Sequence, residues 1–435
     1  MIMINIEHSA LEGELEANGF ITDRFKSETL SLYFRLPVSK EESVIRTLLL
    51  SVLKRGCEGY PSQKELNKRL DELYAAIIKL ENRKYGAEQL IGVSLDLIKS
   101  RYTDGEEDLI KSALDLVSRL LFRPVLDENG YFLEEYVNSE KQNYKDLILS
   151  QINEPRSYAA IRCREHTFAE LEIIHTLEET AELIDKITPA ALTEYYRSVV
   201  LQADLRVFYV GEAPIEEIAK KISLALPERE IAGIDIPTFE RKTLAPAEER
   251  VVIEERESSQ SRLVISLGCS ITHDDPEYYA MSVCNEVLGV SPISKLMMQV
   301  RERLGLCYEC SSSYDSARGT IFISSGIDGA DFDRATDAIK EQINSLGAGN
   351  ITEAELNAAK KSLTNAYKSI YDVPNGIERF YLGRIVRGSR ESVEDAIAAI
   401  NSVSLERVVA ASQGIFVHTV FFLKGKGDCE VLCDE

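Results

Sequence analysis

The sequence predicts an α+β protein made of two homologous α/β-sandwich domains, each a mainly antiparallel sheet covered by helices. Three observations support this fold class. The chain has 435 residues, which is too long for one ordinary hydrophobic core and favours two or more domains of roughly 100 to 200 residues each. Short strand-like segments alternate with amphipathic helical segments. Similar segments recur in the two halves of the chain, which indicates an internal duplication.

The duplication is clearest at the end of each half. The segment IDKITPAALTEYY at 184–196 resembles IAAINSVSLERVV at 397–409. The same separation along the chain relates VFYV at 207–210 to VFFL at 420–423. A constant separation without gaps favours a repeat over chance similarity.

Other predicted elements fit two similar halves. The strand-like segments LSLYFRL at 30–36 and LVISLGC at 263–269 are separated by a longer stretch of chain than the segments above, so the loops of the two halves differ in length. Alternating apolar residues predict further strands, and apolar residues at three- and four-residue spacing predict amphipathic helices. These strands and helices lie at 92–98, 319–327, 105–122 and 332–346.

A linker is predicted between the halves. Proline has a fixed φ and no backbone N–H, so it interrupts regular elements. Residues 227–250 hold three of the chain's twelve prolines and a glycine, namely Pro227, Pro237, Pro246 and Gly233. We therefore expect an N-terminal domain at 1–226, a linker at 227–250 and a C-terminal domain at 251–435.

Composition excludes several classes of function. The formal net charge is −22, from 50 basic and 72 acidic residues, which argues against binding to nucleic acid or to an anionic membrane. No apolar run is long enough for a membrane helix, and the N-terminus lacks the pattern of a signal peptide. Eight irregularly spaced cysteines favour free thiols in a reducing compartment. We expect a cytoplasmic protein.

The most informative predicted helix lies at 41–55. Its apolar residues form one stripe, and Gly56 follows as a helix-ending glycine would. After YPS, a second helix is predicted in SQKELNKRLDELYAA. The stripe consists of Val44, Ile45, Leu48, Leu49, Val52 and Leu53.

This arrangement of helix, glycine, YPS and a helix ending in ELYAA resembles the insulinase-like peptidases, the pitrilysin and mitochondrial processing peptidase family. The resemblance implies two duplicated domains that form a clam-like chamber, and a zinc-binding helix with the inverted motif HxxEH. Here Thr47, Leu50 and Ser51 occupy the positions of its His, Glu and His. The further glutamate ligand of the family corresponds to Asp146 or Leu147.

These replacements remove the chemistry of the motif. Two imidazoles at i and i+4 bind zinc from one helix face, and the glutamate activates the bound water. A hydroxyl is too weak a ligand to replace imidazole, and leucine cannot act as a base. We therefore expect no catalytic residue, no bound metal and no cofactor.

Other residues offer no obvious replacement site. The five histidines are His8, His166, His175, His273 and His418. No two of them have the spacing of a helical zinc site. Two pairs of cysteines have the spacing of zinc ligands. They are Cys307 and Cys310 in CYEC, and Cys429 and Cys433. However, residues three apart on a strand face opposite sides, so we expect structural thiols.

A second motif remains intact. The segment QVRERLGLCYECSSSYD at 299–315 resembles the motif in the family's second domain, in which an arginine and a tyrosine hydrogen-bond the backbone of a bound peptide. Arg301 and Tyr308 occupy these two positions. A guanidinium and a phenol supply several donors, which suits binding of an extended peptide irrespective of its side chains. A solvated helix residue and an ordinary strand residue are the alternative interpretation.

The combination predicts a noncatalytic subunit of a bacterial insulinase-like zinc peptidase. It would hold the peptide substrate through Arg301 and Tyr308, while a sister subunit bearing HxxEH supplies the zinc; self-association as a homodimer is the other predicted arrangement. Two alternatives stay open. One is an autonomous zinc metallopeptidase with substituted ligands, and the other is a purely structural scaffold subunit.

Overall fold

The structure is a computed structural model that describes residues 6–11, 15–104, 107–229, 231, 234, 236, 242–258 and 260–426. It confirms the predicted fold class, because two sheets with their helices form two compact units. Throughout the described residues, each helix is too short or too polar to cross a lipid bilayer.

The first half of the chain begins with strands and ends with a strand followed by a helix. Its elements are β1 (Ile6–Leu11), β2 (Leu15–Ile21), β3 (Ser27–Pro37), α1 (Ser43–Leu53), α2 (Gln63–Glu72), β4 (Ile77–Tyr85), β5 (Glu88–Ile98), α3 (Leu109–Phe122), α4 (Glu134–Asn153), α5 (Pro155–Phe168), α6 (Leu177–Lys186), α7 (Pro189–Tyr195), β6 (Leu205–Gly211) and α8 (Ile215–Ala225).

The second half follows the same plan. One of its helices, Leu296–Arg303, has the wider turns of a π-helix and is called the 296–303 helix below. The remaining elements are β7 (Arg250–Arg256), β8 (Ser261–Gly268), α9 (Tyr278–Asn285), β9 (Cys307–Asp315), β10 (Thr320–Ile327), α10 (Phe332–Gly347), α11 (Glu353–Ser369), α12 (Pro374–Val386), α13 (Val393–Ser402), α14 (Leu405–Gln413) and β11 (Phe416–Gly425).

The two sheets share one topology. The first has the order β1-β2-β6-β3-β5-β4, and the second has the order β7-β11-β8-β10-β9. In each, one parallel pair, β2 with β6 or β7 with β11, lies beside an antiparallel run. Strand β1 is an addition to the first sheet, antiparallel to β2.

The strand register supports the duplication at single-residue precision. Phe208 on β6 lies opposite Ser31 on β3. Phe421 on β11 lies opposite Val264 on β8. The two phenylalanines are equivalent positions of VFYV and VFFL, and their partners are equivalent positions of LSLYFRL and LVISLGC. Equivalent strands therefore pair through equivalent residues.

Each compact unit draws on both halves of the chain. The first unit contains Met1–Asp146, Leu177–Phe239 and Ser369–Ser392, and the second contains Leu147–Thr176, Glu240–Lys368 and Val393–Glu435. Helix α12 therefore packs in the first unit and helix α5 in the second. The predicted boundaries at 226 and 250 stay a prediction.

These exchanged helices cover the sheet face away from the main core. In the first unit, Leu30, Leu32 and Phe34 of β3 point into a core with α1 and α3. On the opposite face, Tyr381 of α12 stacks on Phe20 of β2 with ring centroids 5.5 Å apart. In the second unit, α5 places Ala159 and Cys163 against the outer face of β8 and β11, where they meet Val264, Phe421 and Leu423.

A buried ion pair fastens α12 to its sheet. Glu378 is fully buried and accepts hydrogen bonds from Arg83 Nη1 on β4, at 2.9 Å to Oε1 and 2.7 Å to Oε2. The Arg83 guanidinium also lies 5.1 Å from the Tyr33 ring centroid. Burial raises the pKa of Glu378, and the charge of Arg83 opposes that rise.

Removal of this carboxylate tests the attachment of α12. Glu378→Ala is expected to lower the free energy of unfolding by about 3 kcal/mol, because the buried Arg83 loses two charge-assisted hydrogen bonds and keeps its salt bridge with Glu81. Urea unfolding at neutral pH measures the change. The control is Asp115→Ala, which removes an exposed ion pair with Lys111 and is expected to cost less than about 1 kcal/mol. Equal losses in the two variants would contradict the role assigned to Glu378.

Candidate functional site

The helix that aligns with a zinc-binding helix carries hydroxyl groups turned back on its own backbone. Thr47 Oγ1 donates to the carbonyl of Ser43 at 2.9 Å, and Ser51 Oγ donates to the carbonyl of Thr47 at 3.3 Å. Such i to i−4 bonds satisfy hydroxyls within a helix. Both side chains that replace histidine are therefore used locally in α1.

Leu50, at the position that the resemblance gives to the catalytic glutamate, lies in the hydrophobic core. Leu50 is 7% exposed and belongs to the same cluster as Leu49 and Leu53. A carboxylate at this position would be taken out of water without a counter-ion, which costs several kcal/mol. The first unit is thus stabilised by packing at the point where the zinc peptidases place a charged group.

Helix α4 supplies a phenol to α1. Tyr144 is half-buried; burial raises its pKa, and a hydrogen bond with the Thr47 side chain opposes that rise. Asp146, one of the two positions expected for the further ligand, accepts from Gln142 Nε2 at 2.8 Å. The other position is Leu147, which is 54% exposed. Tyr144 was not predicted from the sequence, where its only signal is its position two residues before Asp146.

A buried arginine holds α1 in place. Arg46 has no exposed side-chain surface and precedes Thr47 directly. Its Nε donates to the Tyr195 hydroxyl at 2.7 Å, and its Nη1 donates to the carbonyl of Pro37 at 2.7 Å and to Gln89 Oε1 at 2.5 Å. A salt bridge with Glu42 completes the set. Helix α1 is therefore anchored by hydrogen bonds as well as by its leucines.

The glycine after α1 has a different role from the expected one. The helix ends at Leu53, with Lys54 as its C-cap in a right-handed conformation. A Cβ on Gly56 would lie 2.6 Å from the backbone carbonyl of Pro61. Gly56 is thus required by a close approach of two backbone segments, one of which includes the YPS sequence.

The described residues contain no group of three or more His, Cys, Asp or Glu side chains that could hold a metal ion. The histidines are engaged separately. His8 Nδ1 is 3.1 Å from Asn18 Oδ1, and His418 Nδ1 is 2.9 Å from Thr419 Oγ1. His166 stacks on Phe421, and burial lowers the pKa of His166. Cys429 and Cys433 lie outside the described residues.

The expectation that Cys307 and Cys310 face opposite sides of a strand is wrong. On β10, Ile327 lies opposite Cys307 and the adjacent Gly326 lies opposite Glu309, so Tyr308 is an extra residue in β9. This β-bulge shifts the alternation by one position. Cys310 then lies opposite Ser325, on the same face as Ile327 and Cys307.

Arg301 and Tyr308 lie on either side of a tight helix-to-strand turn. Gly305 adopts φ +62°, a left-handed conformation that favours glycine. The N–H of Leu306 donates to the carbonyl of Val300 at 3.1 Å, which closes the wide last turn of the 296–303 helix. The chain then enters β9 at once.

Both side chains are accessible in the second unit. Tyr308 is 80% exposed, because the bulge projects it from the sheet. Arg301 is 39% exposed, and the partners described for it are on its own helix: Met297 Sδ at 3.2 Å and Glu302 Oε1 at 3.4 Å. Both contacts are made through Nη1, and a guanidinium has five N–H donors in all. The peptide-binding roles of the two residues stay predictions.

The chain is similar to known proteins of the peptidase type. The family model described as "Peptidase M16 inactive domain" matches residues 186–363. The chain is 29% identical over 428 residues to the "Probable inactive metalloprotease YmfF" of Bacillus subtilis. The matched region covers 96% of this chain and 98% of the relative. It is 23% identical to the "Uncharacterized zinc protease YmxG" of the same organism, over 70% of this chain and 72% of the relative.

A solved structure agrees over nearly the whole chain. The crystal structure of a conserved protein from Enterococcus faecalis superimposes with a TM-score of 0.87 at 25% identity. The match covers 97% of this chain and 99% of that protein. Together with the family model and the relatives above, it confirms the resemblance to the insulinase-like, or M16, peptidases that the sequence predicted.

Replacement of Leu50 tests whether this position contributes to the packing of the core. Leu50→Glu is expected to lower the free energy of unfolding by about 3 kcal/mol or more, because it loses apolar burial and places an unpaired carboxylate in the core. Urea unfolding monitored by circular dichroism measures it. Leu50→Met, which conserves volume, is expected to cost less than about 1.5 kcal/mol. If the glutamate variant is as stable as the methionine variant, the position is not a packing site.

Proposed function

We propose that this chain, which is similar to a probable inactive metalloprotease over almost its whole length, is a noncatalytic subunit that holds the substrate peptide. Arg301 and Tyr308 hydrogen-bond the backbone of an extended peptide. A sister subunit with an intact HxxEH motif supplies the zinc and the water-activating glutamate. This chain binds the peptide, and its partner hydrolyses the peptide bond.

The observation that carries the proposal is the contrast between the two motifs. At the aligned zinc helix, Thr47, Leu50 and Ser51 are used for helix bonding and core packing. At the second motif, Tyr308 is exposed at a bulge, and the contacts described for Arg301 are both made through its Nη1. A scaffold has no need for an accessible guanidinium and an exposed phenol on either side of one turn.

The relatives support a two-chain arrangement. The chain is similar to one Bacillus subtilis protein named as inactive and to another named as a zinc protease. One organism therefore encodes both kinds of chain. We propose that the partner of this protein is an M16-type chain of the second kind; a second copy of this chain is the alternative partner.

The direct test is peptide hydrolysis by the reconstituted pair. The chain is purified alone, mixed with an HxxEH-bearing homologue from the same genome, and assayed with a library of unstructured peptides. The pair is expected to cleave peptides faster than the homologue alone, and the chain alone is expected to cleave none. Chelator-sensitive cleavage by the chain alone would instead favour an autonomous zinc peptidase with substituted ligands.

Substitutions separate peptide binding from a scaffold role. Arg301→Ala is expected to weaken peptide binding roughly 10- to 100-fold, the loss of about 1.5 to 3 kcal/mol typical of charge-assisted hydrogen bonds. Tyr308→Phe removes only the hydroxyl and is expected to weaken binding about fivefold. Fluorescence anisotropy with a labelled peptide measures the affinity of the reconstituted pair.

The matched control is Arg303→Ala. Arg303 is an exposed arginine on the same helix that bonds Gln299 Oε1 at 3.2 Å, and its loss is expected to leave peptide affinity unchanged. Because Tyr308 and Arg301 are exposed, none of the three variants is expected to shift the unfolding temperature. If pair formation persists and Arg301→Ala binds peptide as the wild type does, the scaffold role is the correct one.

A further inference from the structure

The bulge at Tyr308 brings two thiols together. Because Tyr308 is the inserted residue, Cys307 lies opposite Ile327 and Cys310 lies opposite Ser325, two residues apart on β10. Side chains two positions apart on a strand share a face. Cys310 is buried within the core of the second unit, and Cys307 is half-buried at its edge.

The strand register places the two cysteines near the upper limit of separation for a disulfide. Two positions along a strand correspond to roughly 6.8 Å, about the longest Cα separation that a disulfide spans. A bond between these residues would therefore shorten β9 at the bulge. Strained disulfides are more easily reduced and serve in regulation rather than as permanent cross-links.

The two thiols differ in acidity. A hydrogen bond from Cys310, with smaller contributions from Ser325 and the positive charge of Arg301, lowers the pKa of Cys307 to about 7, against the effects of burial and of Glu309. The hydrogen bond to Cys307 and burial hold the pKa of Cys310 well above its usual range. One thiol is thus ionised near neutral pH while its neighbour keeps its proton.

The other described cysteines are unlike this pair. All are buried, and burial raises the pKa of each: to about 11 for Cys57 and to about 12 for Cys163, Cys269 and Cys284. Reactivity towards oxidants follows the thiolate and its accessibility. Within the described residues, Cys307 alone combines both properties.

We propose that Cys307 and Cys310 form a peroxide-sensitive dithiol that closes reversibly to a disulfide. The Cys307 thiolate attacks one oxygen of a hydroperoxide, the O–O bond breaks, and the other oxygen leaves as water or alcohol after taking a proton. The resulting sulfenic acid is attacked by the sulfur of Cys310, which releases its proton; the S–O bond breaks and water leaves. Two electrons pass from the thiols to the peroxide, and a small-molecule thiol returns them.

A consequence for peptide binding rests on the proposed function. Closure contracts β9 on both sides of Tyr308 and removes the negative charge near Arg301. We expect the oxidised protein to hold peptide less tightly than the reduced protein, because the exposed phenol loses the backbone position set by the bulge.

The test begins with a background in which Cys429 and Cys433, which lie outside the described residues, are replaced by serine. One equivalent of hydrogen peroxide is expected to lower the intact mass by about 2 Da, the loss of two hydrogens on disulfide formation. Peptide mapping is expected to find the bond between Cys307 and Cys310, and dithiothreitol is expected to reverse it. Reaction at another pair of cysteines, or no reaction at tenfold excess, overturns the proposal.

Single substitutions assign the two roles. In Cys310→Ser, peroxide is expected to produce a sulfenic acid on Cys307 that dimedone traps, because no second thiol is present to displace water. In Cys307→Ser, the fast reaction is expected to disappear. Cys284→Ser is the matched control, since this thiol is buried in the same core, and it is expected to leave the reaction of the pair unchanged. A sulfenic acid on Cys310 in the Cys307→Ser variant would contradict the assignment.

The pH dependence gives an independent readout. The thiolate forms as pH rises, so the rate of alkylation of Cys307 by iodoacetamide is expected to reach half of its plateau near pH 7, below the midpoint of about 8.5 for an ordinary cysteine. Arg301→Ala is expected to move this midpoint upwards, and Arg303→Ala is expected to leave it in place. A midpoint at the ordinary value would overturn the proposal.

These readouts separate this proposal from the proposed function. Mass change, dimedone trapping and alkylation need no peptide and no partner. If the disulfide forms as expected while Arg301→Ala leaves peptide affinity unchanged, the dithiol stands and the peptide-binding role falls. If peptide affinity depends on Arg301 and the thiols stay inert to peroxide, the peptide-binding role stands and the dithiol falls.

Discussion

The architecture of the first unit depends on the anchorage of α1. Arg46, without exposed surface, binds a side chain on α7, a side chain on β5 and a backbone carbonyl at the end of β3. Leucines on the same helix fill the core beside it. A buried guanidinium is tolerated only when nearly all of its donors are satisfied, so this network fixes the position of α1. At the position that the resemblance gives to the catalytic glutamate, Leu50 adds to the core.

The second constraint is the exchange of helices between the two halves of the sequence. The sheets of the two units have one topology and equivalent register, yet α12 completes the first unit and α5 completes the second. On α12, Tyr381 stacks on Phe20, and Glu378 accepts hydrogen bonds from the buried Arg83. Neither half of the sequence contains everything that its own sheet buries. Duplication has thus produced a chain that folds as a pair of mutually dependent halves.

Much of this was predictable from the sequence, because repeats and periodicity are local signals. The repeated segments reappear as equivalent strand pairs, Phe208 with Ser31 and Phe421 with Val264. The features that escaped prediction depend on partners distant in the chain. Nothing in the sequence near Arg46 indicates that it is buried. Tyr144 is of interest only because its side chain hydrogen-bonds that of Thr47, which is distant in the chain. The bulge at Tyr308 is a mismatch between two strands, so it is invisible in CYEC alone.

The insertion of Tyr308 in β9 determines which side chains share a face of that strand. In a regular strand, Cys307 and Cys310 would face opposite sides, and Tyr308 would take an ordinary alternating position. With the bulge, the thiols share a face and the phenol stands in solvent. A bulge interrupts the ladder of hydrogen bonds between two strands and changes the direction of the side chain beside it. The proposed disulfide between the flanking cysteines would act on the backbone that positions Tyr308, because the same bulge sets the positions of all three residues.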